Sequence, residues 1–253
     1  MSHTLCTFNA NNLYARYRFG EIFPGDRTGA SRAPPGWGYL PPYDENIIEL
    51  FNFEQRQLAA WAITGKNQRW PDVLCLQEVE SLIALREFNK EHLGGKYPYA
   101  LLIDSRDYRQ IDVGVLSRLE ILSVRSHVDD RDPEPESAKK PWLFSRDCLE
   151  VEVALNKSGS KRLFLFINHF KSKYAETAAE RQKADALRRR QARAVKDIVH
   201  ARFPGAEFGK ALFAVAGDLN DEPGSMTVRP LVQRRRAGEN SQGRGALDPL
   251  VPL

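Results

Sequence analysis

The chain has 253 residues, enough for one large α/β domain that would bury roughly 70–75% of the surface its unfolded form exposes. Hydrophobic residues make up 42% and charged residues 28%, which fits a globular protein and excludes a disordered or fibrous chain. No apolar run approaches the ~18–20 residues of a membrane span, and no signal peptide is visible, so we expect a cytoplasmic protein. The net charge of +4 is compatible with an anionic substrate.

The three cysteines, Cys6, Cys75 and Cys148, each lie within an apolar, strand-like run. Their odd number and wide spacing argue against a disulfide framework and against a zinc site. We interpret them as buried thiols that pack as small hydrophobic side chains.

The first part of the chain alternates between strand-like and helix-like patterns. Residues 5–8 and 73–76 are short apolar runs, and the second is typical of a strand covered on both faces. Residues 45–65 and 80–93 have the spacing and the glycine stops of helices. Residues 20–43 are rich in Gly and Pro and predict a long loop, a feature that is usually functional or mobile in a compact domain.

The second part of the chain contains several strands and one long helix. Polar turns separate strands predicted at 99–103, 111–116, 120–128, 149–155, 163–167 and 212–216. The fourth and fifth of these strands form a hairpin, and a basic helix over 176–202 precedes the last one. Hairpins combined with strand–helix–strand units predict mixed sheets rather than a purely parallel sheet.

Short polar motifs follow four of these strands. The side chains that they supply are Asn9, Glu78, His169 and the pair Asp218 and Asn220. Side chains of these types, brought to one end of a sheet by four strands, indicate a divalent-metal phosphoesterase site.

Glu78 directly follows a buried strand, where an uncompensated carboxylate is costly. Mg²⁺ takes oxygen ligands, often one or two carboxylates with water and substrate phosphate, so a single Glu can anchor it. The alternative is that Glu78 belongs to the start of the helix over 80–93, where the helix dipole favours a carboxylate.

Asp218 and Asn220 fall on one side of their strand if its geometry continues one step further. Asp218 could orient or deprotonate a water molecule, and Asn220 could donate to a phosphate oxygen without adding negative charge. The alternative is a turn in which both side chains bond to their own backbone.

Four other polar residues have a chemical and a structural interpretation. His169 could donate to charge developing on a phosphate, or it could be a structural residue that ends a strand. Lys171 could add positive potential or be solvated, and Asn9 could orient a phosphate or a metal-bound water, or occupy a turn. Arg146 could clamp phosphate oxygens, or it could be a surface cation paired with Asp147.

The helix over 176–202 carries many cations, namely Arg181, Lys183, Arg188, Arg189, Arg190, Arg193 and Lys196. They spread around the helix, which favours a solvated helix over a dedicated nucleic-acid groove. In the loop over 20–43, Trp37, Tyr39 and Tyr43 could stack on bases or tie the loop down.

Taken in order, the motifs resemble those of the endonuclease/exonuclease/phosphatase superfamily, which includes pancreatic-type deoxyribonucleases, apurinic endonucleases, inositol-polyphosphate phosphatases and neutral sphingomyelinases. Residues 7–13 resemble its first motif, 76–79 its metal-binding Glu motif and 111–117 a core strand. Residues 145–147, 168–169 and 217–220 resemble the segments that supply its phosphate-contacting Arg, its His and its Asp and Asn.

The resemblance implies a fold, a reaction and a role for each residue. The fold would be α/β, a four-layer sandwich of two mixed β-sheets flanked by helices, in a single domain over 1–253. The reaction would be in-line attack of water on a phosphoester with Mg²⁺, or Mn²⁺ or Ca²⁺, as cofactor. Glu78 and Asn9 would hold the metal, His169 would stabilise charge, Asp218 would activate water, and Asn220, Arg146 and Lys171 would bind substrate.

The family pattern closes with two more strands, the last carrying a Ser-Asp-His motif that supplies an acid–base His. No His follows His200 in this chain. We therefore expect a C-terminally truncated domain whose last strands are incomplete.

Three functions stay open on the sequence. The first is a nuclease that hydrolyses nucleic-acid phosphodiesters, favoured because residues 168–173 (Asn-His-Phe-Lys-Ser-Lys) are more nuclease-like than lipid-phosphatase-like. The second is a phosphatase or lipid phosphodiesterase that acts on a phosphorylated small molecule or lipid. The third is a member with impaired catalysis that acts as a binding protein.

Overall fold

The computed structural model describes residues 2–13, 16–19, 31–32, 47–49, 53–65 and 69–232. The described chain divides into two compact units. Unit 1 comprises the residues up to Asp104 together with Tyr108–Arg118. Unit 2 comprises Ser105–Asp107 together with the residues from Leu119 onward.

Unit 1 contains a four-stranded mixed sheet and two helices. In chain order its elements are β1 (Leu5–Leu13), β2 (Arg16–Phe19), β3 (Ser31–Arg32), β4 (Ile47–Glu49), α1 (Phe53–Thr64), β5 (Val73–Val79), α2 (Leu82–His92), β6 (Tyr99–Leu102) and β7 (Asp112–Ser117). The main sheet has the order β1-β5-β7-β6, with β1 parallel to β5 and the other neighbours antiparallel. Strands β2, β3 and β4 form a separate small antiparallel sheet.

Unit 2 contains the second four-stranded sheet. Its elements are β8 (Ile121–Arg125), β9 (Cys148–Ala154), β10 (Arg162–His169), α3 (Ala178–Arg202), a 3₁₀ turn (Gly205–Glu207), β11 (Phe213–Asp218) and α4 (Arg229–Val232). The order is β11-β10-β9-β8, with β10 parallel to β11 and the other neighbours antiparallel.

The two main sheets repeat one arrangement, in which an edge strand runs parallel to its neighbour and two antiparallel strands complete the sheet. Parallel strands bring their carboxyl ends to the same edge, so β1 with β5, and β10 with β11, each present two strand ends together. The prediction of two mixed sheets with helices, in the α/β class, is confirmed.

Each unit has its own apolar core. In unit 1, Leu74 and Leu76 of β5 pack with Leu85 and Phe88 of α2, and all four are fully buried. In unit 2, Phe166 of β10 packs with residues of α3. Burial of one such side chain stabilises the fold by about 1.5–3 kcal/mol, which is why continuous apolar runs form the central strands.

The two long predicted helices begin at side-chain caps. Ser81 caps α2 by accepting from the backbone N–H of Ala84. Thr177 and Glu180 form a reciprocal capping box at the start of α3. The helices predicted over 80–93 and 176–202 are therefore confirmed, with first residues two positions later than predicted.

The helix predicted over 45–65 is wrong in its first part. Ile47–Glu49 is strand β4, and α1 begins at Phe53. In β4, Ile48 pairs with Arg18 of β2, a contact between distant parts of the chain that helical spacing cannot reveal. A loop was predicted over 20–43, and its aromatic residues Trp37, Tyr39 and Tyr43 lie outside the described residues. Residues 233–253 also lie outside them.

The cysteines are free thiols. Cys75 and Cys148 are fully buried, as predicted, whereas Cys6 is half-buried. Burial raises the pKa of the Cys75 and Cys148 thiols, which keeps both in the neutral form. In the described part of the chain no helix combines the length and apolarity needed to cross a membrane.

Candidate active site

In unit 1 the predicted Asn9 and Glu78 lie on adjacent parallel strands, β1 and β5. Asn9 of β1 pairs with Gln77 of β5, so that Glu78 is one residue beyond the paired position. The strand register shifts directly after this pair, and Asn11, Asn12 and Glu78 all have left-handed backbones, with φ of 51°, 66° and 62°. Non-glycine residues rarely adopt this conformation, and those that do cluster at functional sites.

The helix-start alternative for Glu78 is wrong. Helix α2 begins at Leu82 after its cap Ser81, and its first turn contains no acidic residue. Glu78 instead continues strand β5 in a left-handed conformation and is half-buried. Asn9 Oδ1 accepts a hydrogen bond from the backbone N–H of Asn11 (2.9 Å), a bond typical of turns, although Asn9 itself lies within β1 and pairs with Gln77.

The described residues contain no group of three or more His, Cys, Asp and Glu side chains able to hold a metal ion. A dedicated all-protein metal cage is therefore not part of the described structure. One carboxylate and one amide on adjacent strands, Glu78 and Asn9, still fit Mg²⁺, which keeps several waters and binds substrate phosphate.

In unit 2 the predicted His169 and Asp218 are direct neighbours. The two residues pair in register at the carboxyl ends of β10 and β11, so their side chains lie on the same face of the sheet. The backbone N–H of Phe170 donates to the carbonyl of Asp218 (2.9 Å), which continues the pairing one step further. His169 is buried and Asp218 is half-buried.

Gly217 lets β10 and β11 approach closely at this point. Its φ is +120°, a region that L-residues rarely adopt, and it pairs with Asn168. A Cβ atom at position 217 would lie 1.9 Å from the carbonyl oxygen of Asn168. Only glycine can occupy this position without moving the strand that carries His169.

Asn220 lies in a turn rather than in an extended strand. Its φ is 51°, and its backbone N–H donates to Asp218 Oδ1 (2.8 Å). The continued-strand geometry expected for Asp218 and Asn220 is therefore wrong, because β11 ends at Asp218 and the turn alternative holds. The Asn220 amide donates to the carbonyl of Phe170 (2.9 Å), which joins the β11 end to the β10 end.

Arg146 is buried and donates to the Phe170 carbonyl, the same acceptor that Asn220 uses. Its Nη1 donates to the Phe170 carbonyl (3.0 Å) and its Nε donates to Asp107 Oδ2 (2.8 Å). The alternative of a surface cation paired with Asp147 is wrong, since Asp147 Oδ1 accepts from the backbone N–H of His127 instead (2.7 Å). These two bonds use two of the five N–H groups of the Arg146 guanidinium.

The Lys171 backbone is fixed to helix α3 by two side chains one turn apart. Its N–H donates to Gln191 Oε1 (3.0 Å), and its carbonyl accepts from Arg188 Nη1 (3.0 Å). Gln191 also donates to the carbonyl of Leu143 (2.9 Å). The segment that follows His169 is therefore held by hydrogen bonds from buried residues.

Asp221 joins the turn after β11 to the same assembly. Its Oδ1 pairs with Lys173 Nζ (2.7 Å), while its Oδ2 lies 3.4 Å from Arg188 Nε and accepts from the Thr227 hydroxyl. Burial would raise the pKa of Asp221, but the hydrogen bonds from Lys173 and Thr227 outweigh it and hold the pKa well below its usual range. Asp221 is therefore ionised at neutral pH.

The interpretation of α3 as a solvated cationic helix is wrong for several of its arginines. Arg188 is fully buried, and it also pairs with Asp185. Arg190 makes a bidentate ion pair with Asp132 (2.6 and 2.7 Å). The position of Arg188 between the buried Ala184 and Gln191 at helical spacing is the sequence signal that could have revealed its burial.

A second group of charges centres on Glu150 of β9, with His127 and Asp130 from the loop before β9 and Arg202 from α3. His127 Nδ1 lies 3.1 Å from Asp130 Oδ2 and its Nε2 lies 3.6 Å from Glu150 Oε2. Glu150 also accepts from Arg202 Nε (2.7 Å). Burial lowers the pKa of His127, but its bonds to Glu150 and Asp130 outweigh burial, so the pKa is raised overall.

We expect His127 to stabilise the fold at acidic pH and to lose that effect as pH rises. The pKa is raised on folding, so the contribution is complete below the unfolded value of about 6.5 and disappears as pH rises through the folded value. Urea unfolding of wild type and His127→Gln should show a free-energy difference that shrinks as the pH rises above the unfolded value of about 6.5. A difference that stays constant over this rise in pH would contradict the charged pairing.

The structure thus gathers the predicted residues into two groups. Asn9 and Glu78 lie together in unit 1, whereas Arg146, His169, Lys171, Asp218 and Asn220 lie in unit 2. Six non-glycine residues of the described chain have left-handed backbones, and all but Gln110 lie in the predicted motifs. The sequence patterns did not predict the structural roles of three residues. Arg188 bonds to Lys171, Asp221 pairs with Lys173, and Asp107 accepts from Arg146.

Two mixed sheets, in which one parallel strand pair carries Asn9 and Glu78 and the other carries His169 and Asp218, place the chain in the α/β class. A model of the Endonuclease/Exonuclease/phosphatase family matches residues 54–253, and the chain belongs to this family. It therefore falls within a family of hydrolases that act on phosphoester bonds. A search of curated protein sequences finds no match.

Solved structures show a similar fold at low sequence identity. A β-hairpin deletion mutant of beta toxin from Staphylococcus aureus is 14% identical, with a TM-score of 0.51 over 90% of this chain and 70% of that chain. An endonuclease/exonuclease/phosphatase from Beutenbergia cavernae is 16% identical, with a TM-score of 0.50 over 90% of this chain and 51% of that chain. Sphingomyelinase C from Streptomyces griseocarneus is 22% identical, with a TM-score of 0.48 over 70% of this chain and 60% of that chain.

Proposed function

We propose that the chain is a divalent-metal phosphodiesterase that hydrolyses nucleic acid. The observation that carries the proposal is the pairing of His169 with Asp218 at two parallel strand ends, in a chain that belongs to a phosphoesterase family. An imidazole and a carboxylate on adjacent strands are suited to act on one reacting group, the first on developing charge and the second on a water proton.

The proposed reaction is in-line attack of water on phosphorus. Asp218 accepts a proton from the water as its oxygen bonds to phosphorus, and the ester oxygen leaves with the electron pair of the broken bond. His169 stabilises the negative charge that develops on the phosphoryl oxygens. Asn220 and Arg146 bind those oxygens through the N–H groups that remain after their bonds to Phe170 and Asp107.

Glu78 and Asn9 are the proposed ligands for Mg²⁺, with Mn²⁺ or Ca²⁺ as other candidates. When bound, a divalent cation polarises a phosphoryl oxygen as a Lewis acid. The left-handed backbone at Glu78 supports this role, because strain of this kind persists where the surrounding structure fixes a functional side chain.

Nucleic acid is the proposed substrate class. The chain carries a net charge of +4, and Lys171 follows the proposed catalytic His169 by two residues. A cation in that position attracts a polyanion and shields the phosphodiester charge from the attacking water. Phosphorylated small molecules and lipid phosphodiesters share the phosphoester group, so a substrate panel has to separate them.

We expect Glu78→Gln to lower the cleavage rate at least about 100-fold, because the amide keeps the shape but loses the charge that binds the cation. Cleavage of plasmid DNA, RNA and inositol phosphates is measured with Mg²⁺ and with a chelator. The matched control is Glu91→Gln, an exposed carboxylate on α2 that pairs with Lys90 (2.8 Å) and should cleave at the wild-type rate.

Three results would count against the proposal. Wild-type activity in Glu78→Gln would exclude the metal role of Glu78, and cleavage in the presence of chelator would exclude a metal requirement. If the wild type hydrolyses inositol phosphates alone, the phosphatase alternative replaces the nuclease. If it cleaves none of the three substrates, the binding-protein alternative replaces the nuclease.

A further inference from the structure

The segment that follows β10 presents an exposed aromatic ring on a firmly held backbone. Tyr174 is 77% exposed and lies five residues after His169. Its chain neighbours are Lys173 and Ala175, so the ring does not continue an apolar run. A large ring left in water at such a place has no role in the core of unit 2.

The segment that carries Tyr174 is held through the backbone at Lys171 and Tyr174, and through the side-chain ammonium at Lys173. Lys171 is bonded to Gln191 and Arg188 of α3, and Lys173 is paired with Asp221. The Tyr174 N–H itself donates to Ser172 Oγ (3.2 Å), which closes a local turn. A backbone that is already fixed does not have to be ordered when a ligand binds, which lowers the entropic cost of contacts to the ring.

We propose that Tyr174 stacks on an unpaired base of single-stranded nucleic acid next to the scissile phosphate. The proposal rests on the nuclease function proposed above and names the form of its substrate. Tyrosine is suited to this contact because every base has a π-face, and the nearby Lys171 attracts the phosphate backbone between bases.

A lipid surface fits this ring less well. Interfacial binding uses contiguous apolar area on one face, usually with several aromatic or aliphatic side chains. Residues 171–177, Lys-Ser-Lys-Tyr-Ala-Glu-Thr, contain one large apolar side chain among polar and charged ones. An isolated aromatic ring among polar and charged side chains suits a base of a nucleic-acid strand better than a lipid surface.

The test measures by fluorescence anisotropy how tightly the protein binds a short single-stranded oligonucleotide. The comparison ligand is the same strand made with abasic sites, which keeps the phosphates but lacks bases. Tyr174→Ala should weaken binding of the base-bearing strand about 5- to 100-fold and leave binding of the abasic strand unchanged. Tyr174→Phe keeps the ring and should bind both strands as the wild type does. A loss of affinity that is equal for both strands would overturn the stacking role.

Cleavage assays on the same variants separate this inference from the proposed function. If wild type cleaves the strand and Tyr174→Ala binds it with unchanged affinity, the stacking inference fails and the nuclease function stands. If binding depends on Tyr174 but no phosphodiester is cleaved, the stacking inference stands and the nuclease function fails. Tyr174-dependent binding to anionic vesicles, with none to the oligonucleotide, would overturn the inference in favour of a lipid surface.

Discussion

Gly217→Ala is expected to destabilise the chain by about 4 kcal/mol or more, among the largest effects for a single methyl group. The added Cβ would lie 1.9 Å from the Asn168 carbonyl oxygen, an atom of the neighbouring strand's backbone that cannot rotate away. The φ of +120° adds a conformational cost for any L-residue. Urea unfolding followed by circular dichroism measures the change in free energy.

Gly209→Ala and Gly224→Ala are matched controls for this change. Neither position has a neighbouring atom within 4 Å of an added Cβ, and neither has a left-handed backbone. Both variants should unfold within about 0.5 kcal/mol of the wild type. If Gly217→Ala behaves like these controls, β10 and β11 do not approach each other as described.

Arg188→Met is expected to cost about 3–5 kcal/mol, because it removes a buried cation and leaves its acceptors behind. Arg188 is fully buried, donates to the Lys171 carbonyl, and pairs with Asp185 and Asp221. Methionine fills similar space, so the loss reflects charge and hydrogen bonding. Thermal and urea unfolding measure it.

The control for Arg188→Met is Arg193→Met, a change of the same type at an exposed position on the same helix, expected within about 0.5 kcal/mol. A double-mutant cycle with Asp221→Asn tests the pairing itself. Arg188 and Asp221 are in contact, so the two changes should be non-additive by 0.5 kcal/mol or more, about the threshold for neighbouring residues. Additive effects would mean that Arg188 does not hold Asp221.

Local sequence patterns were sufficient for the central elements of both units. The continuous apolar run over 73–76 predicted the core of β5, and the periodicity over 176–202 predicted α3, because burial on both faces or on one stripe is a local signal. The polar motifs predicted His169 and Asp218 at strand ends and Glu78 next to one, whereas Asn9 lies within β1, which extends to Leu13.

The parts that the sequence did not reveal depend on distant contacts. Glu78 has a left-handed backbone without being glycine, which only its surroundings in the sheet can impose. The amide of Gln191 joins Lys171 to Leu143, and helical spacing alone identifies neither partner. Arg146 bonds a carbonyl 24 positions away, and no spacing rule identifies that acceptor.

The parallel pairing of the site-bearing strands has a consequence for how the chain reaches its folded form. The hairpin of β9 and β10 closes through a short turn. In contrast, β10 and β11 are separated in the sequence by the whole of α3, and a long segment also separates β1 from β5. Closing a long loop lowers chain entropy before any contact compensates, so such pairs form slowly. His169 and Asp218 thus become neighbours in a late step of folding, and the proposed active site should assemble after the hairpins are in place.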